Sequence, residues 1–221
     1  MNLNINRLAY WLVPNLLLPA SIANANSIVS TGWLIDGQFE YMYWPQSTSI
    51  DDSSDGKSSG YSMGFTYSPK SQFLPNWRAY TTTIQSDTVD YAKNDVSGLY
   101  YLKNDDWTQL GVGAGLTQLS GNTNFASTRR DLDRLEPHIY GVAAIGSRQT
   151  IVRLYGEFTI ASGLYDTLVG VKYPIDFGAF GAELESGYRV LSVDYMEYGG
   201  LNLPFKSETK GYFAGINFVF F

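Results

Sequence analysis

Lys210-Gly211-Tyr212-Phe213-Ala214-Gly215-Ile216-Asn217-Phe218-Val219-Phe220-Phe221 closes the chain. From Tyr212 onward every second residue is Tyr, Ala, Ile or Phe, while Gly211, Gly215 and Asn217 fall in the opposite phase. Period two marks a strand with two unlike faces. The apolar phase ends at Phe220, so Phe221 adds one aromatic out of register.

The same alternation recurs upstream. Phe39, Tyr41 and Tyr43 alternate with Gln38, Glu40 and Met42; Tyr61, Met63, Phe65 and Tyr67 alternate with Ser62, Gly64, Thr66 and Ser68. Leu110, Val112, Ala114 and Leu116 oppose Gly111, Gly113 and Gly115, and Leu154, Phe158 and Ile160 oppose Arg153, Tyr155, Glu157 and Thr159. Ten segments follow this rule, at residues 29 to 44, 59 to 68, 76 to 87, 94 to 103, 107 to 118, 137 to 146, 149 to 161, 165 to 175, 179 to 194 and 210 to 221. Past residue 25 no helical period of useful length competes with them. The connections alternate in kind. The stretches 46 to 58 and 119 to 136 read as long polar loops, whereas 104 to 106, Ser147-Arg148 and 176 to 178 read as tight turns.

Composition narrows the classes. The 221 residues include no cysteine and one histidine, His138, so disulfide scaffolds, Cys-ligated metals and sites with several imidazoles are excluded. With 15 Lys plus Arg against 21 Asp plus Glu, the net charge of −6 argues against a nucleic-acid partner. No metal or other cofactor is expected.

Alternating strands serve both a soluble sandwich and a membrane barrel, and the polar face distinguishes them. A soluble sheet presents Lys and Glu to water; here the polar face is Gly, Ser, Thr and Gln, which suits a confined interior. Aromatics recur at strand ends (Tyr43, Trp44, Tyr67, Trp77, Tyr100, Tyr101, Trp107, Tyr173, Tyr188), as in interfacial girdles. Within hydrocarbon, strands span only if the sheet closes and leaves no edge. The expected fold is therefore all-β, a closed antiparallel up-and-down transmembrane barrel of ten strands, with eight as the alternative if the segments flanking Ser162-Gly163 lie outside the membrane. An even strand number places both termini on the periplasmic side of a bacterial outer membrane.

Residues 1–25 read as a secretory signal peptide and 26–221 as the barrel domain. Arg7 supplies a basic start, Leu8 to Leu18 an apolar stretch, and Ala23-Asn24-Ala25 a small-x-small cleavage pattern. Pro14, Asn15 and Pro19 interrupt it too often for a membrane helix.

With the apolar face given to lipid, Glu40, Arg78, Arg153, Glu157, Lys172, Glu183, Glu185 and Arg189 share the lumen. Opposite charges there are expected to pair into a plug, because an unpaired charge in a narrow interior is costly. A barrel this small is nearly filled by its own side chains. A narrow passage for small solutes or ions is the alternative.

Catalysis finds little support in the sequence. An omptin-like protease needs a His with several Asp residues at the rim, and a barrel enzyme acting on lipid A needs a Ser, a His and a carboxylate. Glu136 and the serines of 119 to 127 could meet His138 near the rim, but no motif places them. His138 is read as an interfacial residue at the start of strand six, and no enzyme is expected. Asp51, Asp52 and Asp55 lack the ordered spacing of a calcium loop and read as a solvated acidic segment. Arg129, Arg130 and Arg134 suit contacts with lipopolysaccharide phosphates, or pairing with Asp131 and Asp133.

Residues 73 to 83 (FLPNWRAYTTT), 96 to 116 (VSGLYYLKNDDWTQLGVGAGL) and 178 to 193 (GAFGAELESGYRVLSV), with the last strand, resemble a family of small outer-membrane β-barrel proteins of Gram-negative bacteria. More distantly the chain resembles barrels of the OmpA, OmpX and OmpW type. Tyr212, Ile216, Phe218, Phe220 and Phe221 resemble the terminal signal read by the barrel-assembly machinery. The resemblance implies an outer-membrane location and the barrel fold; the chain is read as a monomer surrounded by outer-membrane lipid and lipopolysaccharide, with a structural or surface-interaction role. It carries over no functional residue.

Overall fold

The computed structural model describes residues 34–49, 55–69, 73–85, 89–105, 107–125, 128–146, 152–177, 180–195 and 205–220. The expected signal peptide, with Asp51, Asp52 and Phe221, lies outside them. Ten strands occur among the described residues: β1 (Leu34–Ser49), β2 (Asp55–Ser68), β3 (Asn76–Gln85), β4 (Val89–Asn104), β5 (Thr108–Phe125), β6 (Thr128–Ile145), β7 (Arg153–Ala161), β8 (Leu164–Asp176), β9 (Phe180–Tyr195) and β10 (Phe205–Phe220). Each pairs antiparallel with its sequence neighbours, and β1 pairs β10 from Ile35↔Phe220 to Ser49↔Ser207, which closes the barrel. The eight-strand alternative is thereby excluded: the segments flanking Ser162-Gly163 are β7 and β8, and both belong to the wall.

The two long polar loops are a correction. β1 continues to Ser49 and β2 begins at Asp55, while β5 and β6 run on to Phe125 and Thr128. The ladder of backbone hydrogen bonds outlasts the apolar alternation, because a strand needs an apolar face only where something apolar lies against it. At Pro45, where the alternation of β1 breaks, the register shifts against both neighbours; a residue without an N–H is accommodated as a bulge.

The β2–β3, β4–β5, β6–β7 and β8–β9 connections lie at the end carrying the termini. Between β4 and β5, Asp105 accepts backbone N–H bonds from Trp107 at 3.0 Å and Thr108 at 2.7 Å. The nearby Lys103 ammonium, with these two amides, holds its carboxyl below the ordinary range. At the opposite end Gly163 takes φ +68 in the β7–β8 turn, a conformation that L side chains rarely adopt.

The burial pattern is inverted relative to a soluble sheet. Met63, Phe65, Leu154, Phe158 and Val169 are exposed, while Ser62, Thr82, Lys93 and Arg189 are buried. Tyr67, Trp77, Tyr100, Trp107 and Tyr173 are exposed toward the termini end, and Tyr61 and Tyr165 toward the other. Two members of the expected girdle differ. Tyr101 is only partly exposed and lies on the inward phase of β4 with Leu99; Tyr188 sits mid-strand, edge-on to Tyr212 with ring centroids 5.3 Å apart.

The interior has two storeys. Toward the termini end and through the middle it is charged. Toward the other end Ile84, Tyr91, Leu119, Leu132, Leu191 and Val193, all buried, belong to one apolar cluster that caps the charged part.

Candidate functional site

The charged lumen is the one concentration of reactive side chains among the described residues. Period two aims them: Arg78 and Tyr80 on β3, Lys93, Asp95 and Ser97 on β4, and Glu183, Glu185 and Arg189 on β9 are alternate residues of single strands. Register then sets which of them meet.

At the centre, Arg189 is 2% exposed. Its Nε donates to Asp166 Oδ1 at 2.8 Å and its Nη2 to Asp166 Oδ2 at 2.6 Å, a bidentate pair. Its Nη1 reaches Ser62 Oγ at 3.0 Å and its Nη2 also Thr82 Oγ1 at 3.1 Å, across the barrel on β2 and β3. Lys93 Nζ donates to Asp166 Oδ2 at 2.7 Å and also to Asp95. Five elements are tied by one guanidinium, one ammonium and two carboxylates.

From Asp95 the network continues through neutral groups. Thr117 Oγ1 donates to Asp95 Oδ1 at 2.6 Å and lies 2.8 Å from His138 Nδ1, while His138 Nε2 lies 2.8 Å from Ser97 Oγ. Thr117 has a single proton and gives it to Asp95, so Nδ1–H donates to Thr117. The network thus places a proton on Nδ1, and in a neutral ring Nε2 accepts from Ser97. This overturns the interfacial reading of His138, which is 3% exposed within the lumen. β6 begins at Thr128 rather than near residue 137, so His138 lies well inside the strand.

A second group joins Arg78, Glu157 and Tyr140. Arg78 Nη2 lies 3.1 Å from Glu157 Oε2, the same oxygen accepts from Tyr140 Oη at 2.8 Å, and the guanidinium stacks over the rings of Tyr80 and Tyr140 at 4.1 and 4.6 Å. The third lies toward the termini end. Arg153 Nη1 meets Glu183 Oε1 at 3.1 Å, and Lys172 Nζ meets Glu185 Oε2 at 3.2 Å and Glu183 Oε2 at 3.8 Å. Tyr155 Oη donates to Glu185 at 3.1 Å and Asn217 Nδ2 to Glu183 at 3.2 Å.

Seven of the eight expected lumen charges fall into these groups. For the eighth, Glu40, register sets its backbone opposite Ser62 and Gly215, and its side chain lies outside the described residues. The sequence reading missed Lys93, Asp95 and Asp166. Lys93 and Asp95 lie where β4 was expected to begin, and both phases of β8 carry large apolar residues, which hides Asp166. Continuing the β4 alternation backward from Ser97 would have found the first two. With these added, five cations (Arg78, Lys93, Arg153, Lys172, Arg189) face five carboxylates (Asp95, Glu157, Asp166, Glu183, Glu185) among the described residues.

Little room is left. A cavity of about 10 Å³ lies between Arg78, Lys93, Asp95, Glu157, Asp166 and Arg189, roughly the space one water requires. No group of three or more metal-ligating side chains occurs among the described residues. On the terminal strand Tyr212 and Phe218 are exposed and Ile216 is partly so, while the side chain of Phe220 lies outside the described residues.

No family model and no curated protein matches the chain. Among solved structures it is similar to the crystal structure of Neisserial surface protein A (NspA), with 13% identity and a TM-score of 0.38 over 85% of this chain and 96% of that one. The fold assigned above rests on the chain's own strand register.

Proposed function

We propose that this chain is an integral barrel of a Gram-negative outer membrane, inserted through the barrel-assembly machinery, with a sealed lumen and a structural or surface-interaction role. One observation carries the reading. Large apolar side chains line the outward face, and ten charges face in, mutually paired, beneath an apolar cap. In water this arrangement would expose the greasy face and bury ten charges for no gain; in lipid it is the low-energy one. Both termini are then periplasmic, and the ends of the long β1–β2 and β5–β6 hairpins face outside the cell.

Sealing follows from occupancy. Barrels with an open aqueous path have many more strands; here paired charges fill the middle and apolar side chains cap them. Nor is the Ser97–His138–Thr117–Asp95 chain read as catalytic, because Ser97 is 1% exposed and its three partners are buried with it. The hydrogen bonds there satisfy buried polar groups.

The test is refolding of the chain without its first 25 residues into detergent or vesicles. A heat-modifiable gel shift is expected, with no conductance steps in planar bilayers. A compact monomer that stays soluble without detergent would overturn the membrane reading, and reproducible conductance would overturn the sealed lumen.

A further inference from the structure

β6 is bonded along its whole length to β5, from Thr108↔Ile145 to Phe125↔Thr128. On its other side it pairs β7 only from His138 to Ile145. β7 ends at Ala161, turns at Ser162-Gly163, and β8 returns from Leu164, so the wall drops by two strands beside the upper half of β6. From Thr128 to Pro137 the second edge of β6 has no strand partner among the described residues.

An unpaired edge presents a row of N–H and C=O groups and accepts a further strand unless it is covered. The notch beside this one is built. Its floor is the Gly163 turn, whose carbonyl accepts the Asp194 N–H at 2.7 Å. Its inner side is closed by the Arg134 guanidinium, 5.1 Å from the Tyr195 ring across the gap, and by Leu132, buried in the apolar cap. On the outward face Leu135 is 64% exposed, next to exposed Asp133 on one bank and opposite exposed Asp194 on the other.

We propose that the Thr128–Pro137 edge is a strand-addition site for an extended peptide segment of a partner protein, occupying the place a longer β7 would take. Main-chain bonds to β6 supply affinity. Charge supplies the choice of partner: two exposed carboxylates flank the notch on a chain of net charge −6, so the guest is basic on its outward side chains, whose aliphatic stems lie beside Leu135, and apolar on its inward ones. Pro137, which has no N–H to give, marks where the guest strand stops. The proposal rests on the outer-membrane reading, which makes this end of the barrel accessible from outside.

The test uses the refolded barrel in phosphatidylcholine vesicles, with its heat-modifiable shift as an independent check of the barrel reading. The probe is a fluorescent octapeptide alternating Lys and Val, compared with the same peptide N-methylated at alternate residues. Binding is expected for the first and not the second, with slowed hydrogen exchange at alternate amides between 128 and 136. Replacing Asp133→Lys and Asp194→Lys together should weaken binding roughly tenfold, the effect of two cross-strand charge pairs, and leave the gel shift unchanged. Equal binding of the N-methylated peptide, no weakening in the double variant, or edge amides already protected in the free barrel would each overturn the proposal while the barrel reading stood. Loss of the gel shift would instead count against the barrel reading.

Discussion

His138 and Ser97 are hydrogen-bonded at 2.8 Å although their strands, β6 and β4, are not neighbours. The imidazole crosses β5 at Gly115, whose backbone pairs with Ser97 on one side and His138 on the other. A ring lying across a strand needs a residue without a side chain beneath it, and a Cβ at Gly115 would also meet the Val96 carbonyl. His138 therefore acts as a cross-brace in the lumen wall. His138→Ala leaves Ser97 and Thr117 without their shared partner, so a loss of about 2–4 kcal/mol is expected from two buried groups. Urea unfolding in vesicles reads it, and His138→Asn, which keeps one donor and one acceptor, should lose less.

Arg189 holds the central cluster, and its removal leaves Asp166 with Lys93 alone while Ser62 and Thr82 lose a donor. Breaking such a buried pair from one side costs about 3–5 kcal/mol. Arg189→Met is expected to destabilise by that amount. Arg189→Met with Asp166→Leu should recover much of it, because no charge is then stranded. If the double variant is no better than the single, the cluster contributes something other than paired charge.

Much of this architecture was legible in the chain, because period two fixes both the face and the path of a strand. The final strand, the alternation through Tyr61–Tyr67 and the turns at 104 to 106 and 176 to 178 defined the wall, and seven lumen charges followed from phase alone. The rest failed where alternation ceases to report. Thr128–Glu136 is polar on both phases, so its ladder with β5 leaves no pattern to read. Leu164 and Leu168 face inward against outward Val169 and Val171, which conceals the phase that places Asp166. Partners across the barrel, such as Arg189 with Ser62, depend on closure and stagger, which no local pattern carries.

Gly163 offers a separate test of the notch floor. Its φ of +68 is strained for any L side chain, and an added Cβ would meet the Asp194 carbonyl and the Tyr195 ring. Gly163→Ala is expected to cost about 1–2 kcal/mol, with faster exchange of the Asp194 amide. A Gly156→Ala control faces milder crowding, the nearest neighbour of its added Cβ being the Leu168 carbonyl at 3.3 Å, and should cost less.

Val169 separates lipid from protein as the medium against the outer face. It is 60% exposed and lies midway between the exposed Tyr165 and Tyr173 of β8, where the membrane midplane would fall. An arginine at the midplane of a barrel wall costs about 2–4 kcal/mol, against about 0–1 kcal/mol near an interface. Val169→Arg should therefore lower stability in vesicles strongly and Tyr165→Arg weakly, by unfolding in urea. On a water-facing sheet both would be near neutral, since the side chain would reach solvent at either position. Equal small effects would therefore remove the membrane from the account, and a graded loss that peaks at Val169 would place the band's centre there.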